Sequence, residues 1–233
     1  MTHTHVTLSG KRLTTPRAAA IAGILFAVLF TISLVLLRIS LPTGPTDSAD
    51  WQARGLDRLN LALGLMPFAG IAFLWFVGVV RDRLGAFEDQ FFSTVFFGSG
   101  LLFLAMVFAA SAVAAGIAVS YTSGSDIFAS EIYQFGRATM SQLFTIYALR
   151  MAGVFVISLG TIWLRTGLMP RWLSFITFLF ALILLLSTTL NLWMVLVFPG
   201  WVFLISVYIL ILNLKHPAPG ASDGMTVSLA GNE

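Results

Sequence analysis

Of 233 residues, 58% are apolar and 10% are charged, and the mean hydropathy is +0.93, where an ordinary soluble domain carries roughly 25% charged residues. This composition excludes a soluble enzyme, and 21 Phe with 6 Trp exclude a disordered chain. The lack of cysteine excludes a disulfide scaffold, a thiol nucleophile and a thiolate metal site, and the net charge of +3 is scattered singly or in pairs at the edges of apolar runs, a pattern of topology signals rather than a nucleic-acid surface.

Residues 1–17 read as a cytoplasmic tail whose His3 and His5 do not by themselves make a metal site. Thr15 and Pro16 then supply an N-cap and a first-turn proline for the apolar run 18–37. That run is longer than the roughly 7–15 residues of a signal core and lacks a clear small-x-small cleavage site, so it is expected to be an uncleaved first span. Pro42, Gly44 and Pro45 break the chain after it, and Asp47 or Ser48 can cap a short helix leading to the second span, 59–80. Asp50, Arg54 and Arg58 follow one another at i+4, which suits a solvated or headgroup-level face.

The third and fourth spans are predicted at 92–119 and 142–164. The apolar stretch from Trp172 to Leu214 is too long for one crossing and must be a hairpin of spans 172–189 and 197–214, with its turn near 189–200, where Ser187, Thr188, Thr189 and Asn191 give way to Trp193, Pro199, Gly200 and Trp201. Residues 215–233, rich in Pro, Gly and small polar groups, read as a disordered cytoplasmic tail. The fold class is therefore all-α, a polytopic transmembrane bundle of six helices over 18–214. With both termini inside, the inner side holds Lys11, Arg12, Arg17, Arg81, Arg83, Arg165, Arg171 and Lys215 and the outer side only Arg38, Arg54, Arg58 and Arg137, which fixes the N-in, C-in orientation.

Two helices carry small residues at helical spacing. Gly98, Leu102, Ala105, Ala109, Ala112 and Gly116 recur at steps of three and four on the third span, as an internal seam or an oligomer contact, and a six-helix bundle favours the seam. On the fourth span Arg150, Gly153, Ile157, Gly160 and Thr161 share a face, so a neighbour is expected close to the glycines and Arg150 is expected to point into the bundle.

Arg150 is the one charge inside a span, a position that is a functional hypothesis by default. Fifteen residues before Arg165, it lies about 22 Å from the inner edge, in the outer half of the membrane. Counting to that depth on the other spans brings Thr31, Ser33, Pro67, Ser111, Ser187, Thr188 and Pro199 near the same layer, the prolines each freeing a carbonyl. The expected ligand-binding residues are Arg150, Ser111, Ser187 and Thr188, holding an anionic lipid or a small anion such as a carboxylate. The bland alternative is an arginine that snorkels outward and merely orients its helix. Glu131 is too far to pair with it along a continuous helix, at about 28 Å, but a folded-back loop could bring Asp126 or Glu131 within reach.

No Walker loop, dinucleotide fingerprint or H-E-x-x-H motif occurs, and no acid or histidine lies in a span, so neither an enzyme, a cofactor nor a metal is expected. The segment Thr15-Pro16-Arg17-Ala18-Ala19-Ala20-Ile21-Ala22-Gly23, followed by five further spans at these spacings, resembles a broad group of uncharacterised bacterial multi-pass membrane proteins. The resemblance implies an integral protein of the bacterial cytoplasmic membrane and carries no site residue with it. The expected partners are the bilayer, an anionic ligand near Arg150 or a membrane protein to which this chain is accessory, with no nucleic acid; a small-molecule transporter is the alternative.

Overall fold

The computed structural model describes residues 15–40, 48–84, 90–122, 131–167, 169–186 and 192–215, and among these all but 167, 169 and 170 are helical. The helices are α1 (Thr15–Ser40), α2 (Ser48–Leu84), α3 (Gln90–Thr122), α4 (Glu131–Gln142), α5 (Leu149–Thr166), α6 (Arg171–Leu186) and α7 (Val197–Lys215). One π-helical turn, Leu143–Ala148, joins α4 to α5 with αR dihedrals at both of its ends, so the two form one rod, and a 3₁₀ segment, Leu192–Leu196, leads directly into α7. Counted as rods there are six, of which five are long and apolar enough to cross a membrane, while α6 is shorter at 16 residues. This is the all-α membrane bundle that the hydropathy pattern implies.

The rods form a ring in which α1 packs on α2 and α7, α3 on α2 and α5, and α6 on α5. Its middle is filled by phenylalanines from five helices. Phe26 and Phe30 of α1, Phe73 of α2, Phe103 of α3, Phe155 of α5 and Phe198 of α7 are each no more than 1% exposed. Their centroids lie 4.6 to 5.8 Å apart in the pairs Phe26–Phe73, Phe73–Phe103, Phe73–Phe155, Phe103–Phe198 and Phe155–Phe198. Tilted and edge-to-face rings at such distances attract beyond their contact area. In lipid, where the hydrophobic effect between helices is lost, this shape-fitted packing has to hold the bundle.

At the rim the chain uses glycine. Gly153 and Gly160 are buried on α5, and a Cβ at Gly153 would lie 2.7 Å from Leu185 Cγ, one at Gly160 3.1 Å from Thr177 Cγ2. The pairings 153 with 185 and 160 with 177 run antiparallel, as required of α5 and α6 joined by a tight turn. That turn is made by Gly167, whose φ of 64° is left-handed and whose N–H donates to the Trp163 carbonyl at 3.0 Å. Trp201 Nε1 on α7 donates to Thr177 Oγ1 on α6 at 3.3 Å, a buried polar tie across the hairpin.

Several expectations need correction. The seam of α3 is not the Gly98–Gly116 stripe: Leu102, Ala105, Ala109, Ala112 and Gly116 are exposed, and a Cβ at Gly98 or Gly116 would meet nothing within 4 Å. The buried row is Phe96, Gly100, Phe103, Val107, Ala110 and Ala114, shifted by two residues and hence about 200° around the helix, on the opposite face. On α5 the glycines pack as expected, but Ile157 is exposed and Thr161 half-buried. The chain is helical again from Leu192, so Pro199, Gly200 and Trp201 lie inside a helix and not in the turn, and Trp201 is a buried core residue at 1% exposure rather than an interface aromatic. The short helix before the second span is continuous with it, since Ser48–Leu84 is one helix. The 187–191 part of the turn, the 215–233 tail beyond Lys215 and residues 1–14 lie outside the described residues.

The glycine contacts separate two classes of position. Gly153→Val is expected to cost about 1–3 kcal/mol, because its side chain meets the branch carbon of Leu185 on a helix that cannot withdraw without opening the core. Gly116→Val, with open space around it, is expected to stay within about 0.5 kcal/mol. Reversible unfolding of the detergent-solubilised protein would measure both.

Candidate functional site

The hydroxyls of this bundle are mostly settled by their own helices. Ser99 Oγ donates to the Val95 carbonyl at 2.7 Å, Ser111 Oγ to Val107 at 2.9 Å, Thr145 Oγ1 to Ser141 at 2.7 Å and Ser158 Oγ to Val154 at 2.8 Å. Each satisfies a polar group that lipid would leave unpaired. Ser33, Ser174 and Ser206 do otherwise: they are fully buried and their hydroxyls have no hydrogen-bond partner. Ser206 points across the α7–α1 contact, where a Cβ on Gly23 would overlap its oxygen, so it faces the Gly23 Cα as a weak C–H···O acceptor.

Arg150 follows the π-helical turn by two residues. The turn widens the ladder, so that the Leu149 N–H reaches both the Phe144 and the Ile146 carbonyls. The Ile146 oxygen also accepts from Arg150 Nη1 at 3.3 Å, the one hydrogen bond that the guanidinium makes among the described residues. The bond turns the side chain back toward Ile146, one helical turn nearer the α4 end of the rod and away from Arg165. The residue is half-buried, and no carboxylate among the described residues pairs with it. Glu131 is exposed on the same unbroken rod 19 residues earlier, too far along the axis to reach it, as the continuous-helix argument requires.

Of the other residues expected at this layer, Ser111 is half-buried and gives its proton to its own helix, so only its oxygen lone pairs remain for a neighbour. No hydrogen bond links Ser111 to Arg150. Ser187 and Thr188 lie outside the described residues. Thr31 is half-buried and Ser33 buried without a partner. Of the two prolines, Pro67 lies inside α2, where its missing N–H frees a carbonyl one turn earlier, and is exposed, while Pro199 is buried in the first turn of α7, directly after the 3₁₀ segment. Chemically, the site offers a guanidinium at membrane depth with most of its five N–H donors uncommitted, which suits an oxyanion. Sequence reasoning missed the π turn beside it, for which neither hydropathy nor residue type gives a signal.

No family model matches the chain, and neither a curated protein nor a solved structure resembles it. Of the expected resemblance, the structure supports the multi-pass membrane architecture through its long apolar helices, and no bacterial family is shown.

A single intrahelical bond at 3.3 Å is a weak tether, so the fold is expected not to depend on the charge. Arg150→Met, which keeps the length of the apolar stem, is expected to leave the unfolding midpoint in detergent within the equivalent of about 1 kcal/mol of wild type. A collapse of stability would make Arg150 a structural charge.

Proposed function

We propose that the protein is a non-catalytic integral membrane protein of the bacterial cytoplasmic membrane that binds an anionic ligand, a lipid phosphate or a small carboxylate, at Arg150 in the outer half of the bilayer. The observation that carries this reading is the guanidinium inside a membrane-spanning rod, held by one bond to its own helix and faced by no acid among the described residues. A cation at that depth is costly and is kept where something pairs with it. The outward fold of the side chain supports a ligand that enters from the outer face. Ser187 and Thr188 are the residues proposed to donate hydroxyl protons to the anion, and Ser111, whose proton goes to its own helix, is proposed to complete the site by offering its oxygen to the guanidinium.

A small-molecule transporter has less support. The axis of the bundle is occupied by interlocked phenylalanines that are almost wholly buried, and a path through it would require them to separate. An accessory role beside another membrane protein is separated from the lipid reading by what is recovered with the protein.

Native mass spectrometry of the protein released from its own membrane tests this reading directly. The wild type is expected to carry an anionic adduct that Arg150→Gln lacks while remaining folded; identical adducts on both proteins would overturn the proposal. Extraction of the adduct into organic solvent assigns it to lipid, retention in water to a small anion.

The orientation is open to a separate measurement, because the chain has no cysteine and any introduced thiol is unique. Arg58→Cys and Arg137→Cys are expected to react with a membrane-impermeant maleimide on intact cells, and Arg83→Cys and Arg171→Cys only after permeabilisation. The reverse pattern would place Arg150 in the inner half.

A further inference from the structure

The phenylalanine rings set a common level against which the heights of the helices can be compared, since Phe26, Phe73, Phe155 and Phe198 touch one another across α1, α2, α5 and α7. On α1, Arg17 lies nine residues inward of Phe26 and Arg38 twelve residues outward, about 14 and 18 Å, so the rings stand near the middle of a hydrocarbon layer about 30 Å thick. Outward means the side where α4 begins, the outer side in the proposed orientation. From the ring level α2 reaches 25 residues outward and the α4–α5 rod 24. The helix α6 does not follow them. A Cβ on Gly153 would meet Leu185 and one on Gly160 would meet Thr177, which puts Leu186, the last residue of α6, level with residue 152. It ends about 4.5 Å outward of the rings, roughly 10 Å short of the edge of the hydrocarbon.

That short end lies beneath Arg150. Arg150 stands five residues outward of Phe155, about 7.5 Å, and three residues before Gly153, so it shares the side of the rod that faces α6 and begins where α6 stops. Its guanidinium is turned farther outward, to the Ile146 carbonyl. Below it, Leu179, Leu182, Ile183 and Leu186 of α6 are all exposed, an apolar face of the kind that lipid chains cover. A membrane meets a hydrophobic stretch shorter than itself by thinning at that place. A helix end adds to the demand, because its last four carbonyls have no intrahelical donor and hydrocarbon supplies none. The acids of the outer side stand well away. Asp50 and Asp57 of α2 and Glu131 of α4 are at least 16 residues outward of the ring level on their helices, against five for Arg150, and Asp47 and Asp126 lie outside the described residues.

We propose that the outer leaflet dips beside α6 and that the anion taken by Arg150 is the phosphate of an outer-leaflet phospholipid, which reaches it laterally over the end of α6. This rests on the reading that Arg150 binds an anion, and it names the ligand's class and its route. The short helix lowers the headgroup layer toward the guanidinium, and the guanidinium offers paired N–H donors to the phosphate oxygens. A phosphate held there keeps its acyl chains on the apolar face of α6, which selects a lipid over a free anion.

The absence of cysteine lets a single thiol carry a depth probe. Leu186→Cys and Phe68→Cys place a fluorophore at exposed positions on opposite sides of the ring of helices, about 4.5 and 7.5 Å outward of the same level. The full chain in phosphatidylcholine vesicles is then quenched by nitroxides on the lipid headgroup, at mid-chain, or in the water. Position 186 is the deeper of the two, so in a flat bilayer headgroup nitroxides quench it less. A dip inverts that order: the ratio of headgroup to mid-chain quenching is expected to be higher at 186 than at 68, and to fall below it in Arg150→Gln, or in Arg150→Met should the glutamine variant not fold. The flat-bilayer order in the wild type would overturn the proposal without any arginine variant. An inversion that survives loss of the arginine would also overturn it, as would quenching at 186 by the soluble nitroxide alone, which would make the recess a watery site for a free anion. The adduct comparison on Arg150→Gln decides separately whether Arg150 binds an anion, so the two failures are told apart.

Discussion

The structure depends on a knot of phenylalanine rings. Phe26, Phe73, Phe103, Phe155 and Phe198 come from five helices and meet at centroid distances as short as 4.6 Å, with Phe30 and Trp201 extending the contact at 5.2 and 6.3 Å. A soluble core of this kind would be held mainly by its removal from water. In a bilayer the alternative solvent is itself hydrocarbon, and what distinguishes the packed state is the number and fit of short contacts. Large rigid rings satisfy that requirement well, because each fixes two torsions and touches several helices at once. The rest of the ring of helices is arranged around them: Gly100 on α3 admits the Phe155 ring, at 3.2 Å from where its Cβ would lie, and the α5 glycines let α6 close the other side.

An aromatic interior leaves little provision for polarity, and the chain deals with its hydroxyls locally. Serines and threonines on α3 and α5 donate to carbonyls one turn back and so cost the bundle little. Against that background Arg150 is an anomaly, with more donors than its helix can occupy. The π turn beside it explains how the residue is accommodated, since a carbonyl in the widened ladder is offered to the guanidinium, but one bond does not discharge the group. Arg81 and Arg165 are accommodated in another way, by lying over the Phe97 and Phe92 rings at 4.5 and 4.8 Å at one end of the bundle. Position along the helices separates these charges: Arg81 and Arg165 stand near the ends of long apolar helices, whereas Arg150 lies within one.

The two long rods add to this arrangement. α2 has 37 residues and α4, the π turn and α5 run unbroken from 131 to 166, both longer than a hydrocarbon core of about 30 Å requires. The excess lies at their N-terminal ends, where a Cβ on Gly136 of α4 would lie 3.3 Å from Ile117 Cδ1 of α3. Arg150 therefore sits below a helical extension already supported by α3, so its helix is held on both sides of the charge.

Sequence alone determined the number of rods and the position of one charge within them, because hydropathy and length are properties of a segment and need no neighbour, but not the helical extensions that start α2 at 48 and the α4–α5 rod at 131. The α5 glycines were also legible: Gly153 and Gly160, two turns apart, mark a close approach wherever the partner comes from. The buried side of α3 was not legible, because in lipid both faces of a helix are apolar and the amphipathic signal that would orient it in water is lost. Small residues at regular spacing pointed to the wrong face, since the core there is built from Phe96, Phe103 and the ring of Phe155 lodged at Gly100. Tertiary structure alone decided which rings meet, that Trp201 is a core residue tied to Thr177 and that Arg81 and Arg165 lie on α3, since each of these pairs residues far apart in the chain, and only the packing of whole helices brings them together.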